Sequence, residues 1–264
     1  MADLLEGIVA RVRAHLLAAP PDEGRLRDAA RERPSRRDFA AALAGGPEPA
    51  LIAEFKRRSP SKGDLRAGAD VAEFCGAFAR AGASAISVLT NPDFGGDLRD
   101  LRAARKSVEL PLLRKDFVID PRQVLEAAAA GADCVLLITR IVSPAELLDL
   151  SETAAELGLQ TLVEVYEESE LEAALGAGPT LLGVNSRDLA TFAVDSGKFA
   201  RIAAALPEGL PMVAESGVSS RKQAVAAARA GARAVLVGEA LMTAPDPATK
   251  VRELVGAAQS MDVG

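Results

Sequence analysis

Two lysines, three glutamates and one asparagine stand at the ends of short apolar runs: Glu54 and Lys56, Lys115, Glu164, Asn185 and Glu215. Carboxylates and ammonium groups gathered in one cleft shift one another's pKa values, which is what general acid–base catalysis requires. A lone charge at the end of an element is ordinarily just solvated. The weight of the reading lies on six such groups converging. Other chemistries are poorly provided for. The 264-residue chain has one histidine, His15, and two cysteines, Cys75 and Cys134, far apart. That is too few ligands for a usual transition-metal site, and any His-based triad would have to run through His15. His15 reads as a surface or cap residue of a helix, and Cys75 and Cys134 as small core residues. No metal site is expected.

Side chains at strand ends converge only if the strands run the same way. Apolar runs occur at 50–55, 84–89, 110–114, 133–138, 160–165, 181–185, 210–214 and 233–237. Segments of helical period separate them at 70–81, 98–107, 121–130, 144–157, 167–175, 196–205 and 219–230, with a last at 248–259. Ala-Gly-Ala recurs at 81–83, 130–132 and 230–232, where a left-handed Gly would end a helix. Asp70, Asp120-Pro121, Ser143-Pro144 and Ser219 open helices. Eight strand–helix units in series predict one (β/α)8 TIM barrel over 50–264, preceded by an N-terminal helical extension over 1–49. The extension reads as a helix at 4–18 and a charged helical stretch at 22–44, broken at Pro34. Its arginines from Arg25 to Arg37 read as a solvated face or a contact with the barrel. The rival fold, a doubly wound open sheet, usually carries a Gly-rich phosphate turn after its first strand. This chain has Lys56-Arg57-Arg58-Ser59-Pro60-Ser61-Lys62 there.

Barrel enzymes place their chemistry at the C-terminal strand ends, and residues two apart share a face. The polar exits are Glu54 and Lys56, Ser87 and Thr90, and Lys115 followed by Asp116. After them come Thr139 and Arg140, Glu164, Asn185 followed by Arg187, and Glu215 with Ser216. The eighth strand offers only Leu236 and Gly238. Ser216-Gly217 and Gly238-Glu239 occupy the loops that bind phosphate in many barrels, and Gly admits backbone close to a ligand. The basic loop from Lys56 to Lys62 adds positive charge to that rim. The net charge of −6 argues against a nucleic-acid partner. No apolar run reaches membrane-span length, and the N-terminus lacks the pattern of a signal peptide. Two isolated cysteines suit the cytoplasm.

The ordered motifs resemble the indole-3-glycerol phosphate synthase family. The matching stretches are IAEFKRRSPSKG (52–63), ISVLTN (86–91), LPLLRKDFVIDPRQV (110–124), GADCVLLI (131–138), LVEVY (162–166), LLGVNSRDLATFAVD (181–195), VAESGV (213–218) and VLVGEALM (235–242). The resemblance implies ring closure of 1-(2-carboxyphenylamino)-1-deoxyribulose 5-phosphate with loss of carbon dioxide and water, and no cofactor. It implies Lys115 as general acid and Glu164 as base. Lys56 would hold the substrate carboxylate or phosphate, and Glu54 would orient the lysines. Asn185 and Glu215 would hold ribulose hydroxyls, with Arg187 near the anthranilate end or supporting that loop. Ser59, Ser216, Gly217, Leu236, Gly238 and Glu239 would line the phosphate side. Which lysine supplies the acid of the dehydration stays open. Many relatives have a small residue in place of Glu239. A carboxylate there would repel phosphate, so its side chain is expected to point away. A Schiff-base aldolase or sugar-phosphate isomerase on the same barrel is the alternative enzyme, and a barrel that only binds a phosphorylated ligand is a third reading. The partner is a small molecule, and the chain is expected to be a monomer or weak homo-oligomer.

Overall fold

The computed structural model describes residues 3–33, 36–45, 49–60, 62–187, 193–195, 197–206 and 209–256. Eight strands hydrogen-bond side by side into a closed, all-parallel barrel. They are β1 (Ala50–Phe55), β2 (Ala85–Leu89), β3 (Leu112–Lys115), β4 (Cys134–Ile138), β5 (Gln160–Val165), β6 (Leu181–Asn185), β7 (Met212–Glu215) and β8 (Ala234–Val237). β1 pairs with both β2 and β8, which closes the ring. The fold is the expected TIM barrel.

Alternation along the strands builds two cores. Leu51, Ala53 and Phe55 of β1 face outward and join Ile86, Val88, Val163 and Val235 under the helices. Ala50 and Ile52 face inward with Leu113, Leu136, Leu162, Leu181, Val213 and Leu236. The next inward position on several strands is polar: Glu54 after Ile52, Lys115 after Leu113, Glu164 after Leu162, Glu215 after Val213. An apolar floor thus carries a charged upper layer. Each large apolar side chain in that floor contributes about 1.5–3 kcal/mol when fully buried.

The extension closes both ends of the barrel. It consists of α1 (Asp3–Ala18), α2 (Glu23–Glu32) and α3 (Phe39–Ala44). Phe39 and Leu43 are fully buried and join the inner core beside Ala50 and Ala234, which begin their strands, so α3 plugs the lower end. Ile8 of α1 joins the same core beside Phe117 and Tyr166, just past the strand exits, so α1 roofs the mouth. The charged stretch divides into α2 and α3, each opened by an aspartate cap, Asp22 and Asp38; Pro34 itself lies outside the described residues. The arginines there divide: Arg27 and Arg31 stay exposed and pair within α2, while the later ones grip the barrel. Arg33 donates to the carbonyls of Ala132 and Leu157, and Arg37 pairs with Glu109.

The outer helices are α4 (Val71–Arg80), α5 (Leu98–Ser107), α6 (Pro121–Ala129), α7 (Pro144–Glu156), α8 (Leu171–Gly176), α9 (Lys198–Ala204), α10 (Arg221–Arg229), α11 (Glu239–Met242) and α12 (Pro247–Val255). Asp70, Asp120 and Ser143 cap their helices as expected, but the cap of α10 is Ser220, not Ser219. The three Ala-Gly-Ala glycines take φ of 105°, 92° and 101°, the left-handed form inferred from the repeat. The third and seventh strands begin two residues later than the apolar runs. Pro111 and Pro211 have no N–H for the ladder, although their carbonyls still accept from Ile86 and Leu182. The stretch 167–175 opens as a 3-10 turn, Glu168–Glu170, before α8. The short helix α11 was not foreseen. Among the described residues no helix is long and apolar enough to cross a membrane.

Candidate active site

The charged upper layer faces a cavity of about 980 Å³ that every candidate site residue lines. Strand register decides which groups meet. Glu164 lies beside Gly183, and Asn185 beside Glu215, which in turn lies beside Leu236. Lys115 Nζ reaches across to Glu164 Oε2 at 3.0 Å and to Glu215 Oε2 at 3.2 Å. Only the Glu164 contact has hydrogen-bond direction; neither Glu215 oxygen has a well-directed donor. Lys56 Nζ pairs with Glu54 Oε1 at 2.7 Å. Two glycines make room for these carboxylates. A Cβ on Gly183 would fall 2.2 Å from Glu215 Oε1, and one on Gly238 would fall 2.2 Å from Glu54 Oε1.

Burial pulls the two central carboxyls apart in acidity. Burial disfavours charge on Glu215, and the neighbouring Glu164 charge adds to this. Lys115 does not offset them, so Glu215 keeps its proton well above the usual carboxylate range. Burial also opposes charge on Glu164, but Lys115, Glu215 and the Tyr166 hydroxyl outweigh it and hold Glu164 below its ordinary value. Burial works against the Lys115 ammonium too, yet Glu164, Glu215 and Glu54 raise it far above an ordinary lysine. The centre therefore holds an ammonium, a carboxylate and a carboxylic acid. Such a split between neighbouring carboxyls marks a base and a proton-bearing partner.

The other side of the mouth carries the two loops expected on the phosphate side. Ser216 is the one non-glycine residue among those described with positive φ, 66°, and Gly217 follows at 80°. Strain of this kind clusters at functional turns. Ser216 Oγ donates to Asn185 Oδ1 at 2.8 Å, and the Arg187 N–H donates to the same oxygen at 3.0 Å. Ser59 is buried beside Lys62, whose N–H donates to its hydroxyl at 3.2 Å.

Several expectations about strand exits need correction. The Glu239 side chain does not point away. Its carboxylate lies 2.8 Å from Lys62 Nζ and 3.6 Å from Arg187, both at the cavity wall. Burial opposes its charge, but Lys62, Arg187 and Lys56 hold it below the usual range. The basic loop offers less charge to the rim than its composition implies. Arg57 turns outward to Asp100 at 2.6 Å, and Arg58 pairs with Asp64 at 2.8 Å. Thr90 and Asp116 also leave the cavity centre: Thr90 donates to Asp116 at 2.6 Å, and outward-facing Arg114 pairs with Asp116 at 3.0 Å. Thr139 donates to the Glu164 carbonyl at 3.0 Å, and Arg140 lies over the Tyr166 ring. Ser87 is wholly buried, with an unpartnered hydroxyl, in register with Glu54.

Sequence reasoning missed Tyr166, Phe94, Phe117 and the α1 residues Leu4, Leu5 and Ile8, all of which line the cavity. The period of two, carried one step past Glu164 and Lys115, reaches Tyr166 and Phe117. Nothing in the local pattern places α1 over the mouth.

The family model for indole-3-glycerol phosphate synthase matches residues 5–254. The chain belongs to that family. It is 47% identical over 256 residues to an indole-3-glycerol phosphate synthase of Parafrankia sp. (strain EAN1pec), covering 96% of this chain and 95% of that one. It is 46% identical to indole-3-glycerol phosphate synthase 2 of Streptomyces coelicolor, covering 97% of this chain and 100% of that one. Solved structures add likeness of fold alone. The 3-hexulose-6-phosphate synthase of Salmonella typhimurium aligns with TM-score 0.64 at 16% identity, covering 78% of this chain and 97% of that one. The family match spans α1 through nearly all of α12, so roof and barrel belong to one family unit.

Proposed function

We propose that the chain converts 1-(2-carboxyphenylamino)-1-deoxyribulose 5-phosphate into indole-3-glycerol phosphate, carbon dioxide and water. The observation that carries the reading is Lys115, held protonated between Glu164 and Glu215 at the centre of a cavity whose far wall is fit for phosphate.

The ring carbon that bears the carboxylate attacks the ribulose carbonyl carbon. The carbonyl π electrons move to oxygen, which takes a proton from Lys115 and becomes a hydroxyl. An ammonium this strongly held is a weak acid, but an alkoxide is a far stronger base, and the fixed charge favours the oxygen as negative charge develops. The carbon–carboxylate bond then breaks, carbon dioxide leaves, and its electron pair restores the aromatic ring. In the dehydration the ring nitrogen keeps its hydrogen: Glu164 takes a proton from the methylene carbon beside that nitrogen, the electrons of the C–H bond form the new ring double bond, and the hydroxyl leaves as water. Either Lys115 or Lys56 supplies the proton for that water. Glu54 holds Lys56 at 2.7 Å. Glu215, bearing a proton, can donate to a ribulose hydroxyl, and Asn185 holds another. Ser59, Ser216, Gly217, Gly238 and the Glu239 N–H receive the phosphate beside Leu236, and Arg187, 3.6 Å from Glu239, supports that loop. No cofactor enters these steps.

A Schiff-base aldolase would need a neutral amine. The carboxylates of Glu164 and Glu54, which help keep Lys115 charged, speak against that alternative. Appearance of indole fluorescence on mixing protein and substrate tests the proposal, and the chain's lack of tryptophan leaves little background. No signal from folded protein would refute it, and borohydride trapping of a substrate adduct on Lys115 or Lys56 would favour the aldolase. Residence in the cytoplasm and a monomeric or weakly self-associating state belong to the same reading. In support, both cysteines are buried and free, and the exposed large hydrophobics among the described residues, Leu17, Leu148 and Val194, are scattered.

A further inference from the structure

Tyr166 is the chain's single tyrosine, and it is 2% exposed at the exit of β5, two residues past Glu164. Its ring is covered by the Arg140 guanidinium, 3.8 Å from the ring centroid, and Arg140 is itself fixed by Glu170 at 2.6 Å. Its hydroxyl oxygen accepts from Asn185 Nδ2 at 3.2 Å. The Asn185 amide is fixed the other way round by two donors to its oxygen, Ser216 Oγ and the Arg187 N–H. The phenol proton is therefore left for another acceptor, and an ionised carboxylate can only accept. The carboxylate within reach is Glu164, two residues back on the same face of β5 and lining the same cavity.

We infer that Tyr166 is the positioning residue of the Glu164 base: its hydroxyl donates to the Glu164 carboxylate and fixes that group's direction in the cavity. This rests on the proposed role of Glu164 and adds a residue to it. The contact is one of the influences that hold Glu164 below its ordinary pKa. Burial first, and then the Glu164 charge, push the phenol well above its ordinary value, so the donor keeps its proton across the working range. Through Asn185 the same hydroxyl is linked to Ser216 on the phosphate side. The base is thus aligned by the loop that receives the far end of the substrate.

Tyr166→Phe removes only the oxygen and leaves the ring under Arg140. A hydrogen bond to a charged group corresponds to roughly 10- to 100-fold in rate. The variant is expected to lose kcat on that scale with KM nearly unchanged and with thermal unfolding close to the parent. The acid limb of its kcat/KM profile should move to higher pH, because Glu164 has lost a donor. Wild-type kcat with an unmoved acid limb would overturn the inference. Growth with 3-fluorotyrosine labels this one position, since no other tyrosine exists. The more acidic phenol is a stronger donor and should move the limb to lower pH; movement in the same direction as in the Phe variant would count against it. Glu164→Gln separates the two levels of argument. If the acid limb persists in that variant, the base lies elsewhere and both readings fall. An assay without turnover isolates the contact. With no tryptophan present, phenolate absorbance follows Tyr166 alone, and its midpoint should drop in Glu164→Gln. An unchanged midpoint would overturn the contact and leave the Glu164 role standing.

Discussion

The Lys115 ammonium lies 3.0 Å from the Glu164 carboxylate, joining β3 to β5 across the open end of the barrel. Acid and base of the proposed reaction are therefore each other's counter-ions before substrate arrives. Lys115→Ala is expected to lower kcat by roughly 10²–10⁴-fold, the scale of general acid catalysis, with KM within a few-fold. Steady-state rates by indole fluorescence check this, and undiminished turnover removes Lys115 from its role.

Glu215 makes a pH-dependent contribution of unfavourable sign. Its folded pKa is raised, while the unfolded chain ionises near the ordinary carboxylate value. Above that value the folded state binds the extra proton, so stability falls as pH rises toward the folded pKa. Glu215→Gln removes this loss. Thermal scans should show the variant gaining on the parent by a few degrees as pH rises above about 4.5. A gap that does not change with pH would mean that Glu215 is ionised in the folded protein.

Glu239 holds two cations that a phosphate would also seek, Lys62 and Arg187. Its pairs are partly exposed, so their net worth is small. Replacing Glu239 with Ser takes a carboxylate away from both cations and removes a like charge. KM for the phosphorylated substrate should fall about two- to fivefold with kcat little changed. A raised KM would show that Glu239 helps to bind the substrate.

Gly238 has φ of −122°, outside the left-handed range that favours glycine. The penalty for Gly238→Ala comes instead from Glu54, whose carboxylate stands where the methyl would go. Displacing it unseats Lys56. Turnover should drop at least tenfold, with a stability loss of about 1–3 kcal/mol from overpacking. Normal activity in this variant would separate Glu54 from the catalytic set.

Much of this architecture is legible in the chain because strands have a period of two. Ile52 to Glu54, Leu113 to Lys115 and Leu162 to Glu164 each step from apolar floor to charged rim. Partners are harder to read, since period gives a face and not a neighbour. Asp116 follows Lys115 directly, so it shares the outward face of Arg114, and the pair forms there. Glu239 was expected to turn away because its repulsion with phosphate was weighed without Lys62 and Arg187, which arrive from two other loops. The roof of Leu4, Leu5 and Ile8 depends on how the extension docks, which no local pattern encodes.

The seam between β1 and β8 has a consequence in time. Its register runs from Ala50 beside Ala234 to Ala53 beside Val237, which puts Glu54 next to the gap at Gly238. Glu54 and Lys56 come early in the chain and Gly238 comes late. Joining distant segments carries the largest loop-closure cost and slows folding. A refolding chain can hold helices and most of its sheet while the ring is still open, and in that state it has no complete acid–base set. Recovered turnover therefore reports closure of the ring, later than any signal that follows helix content.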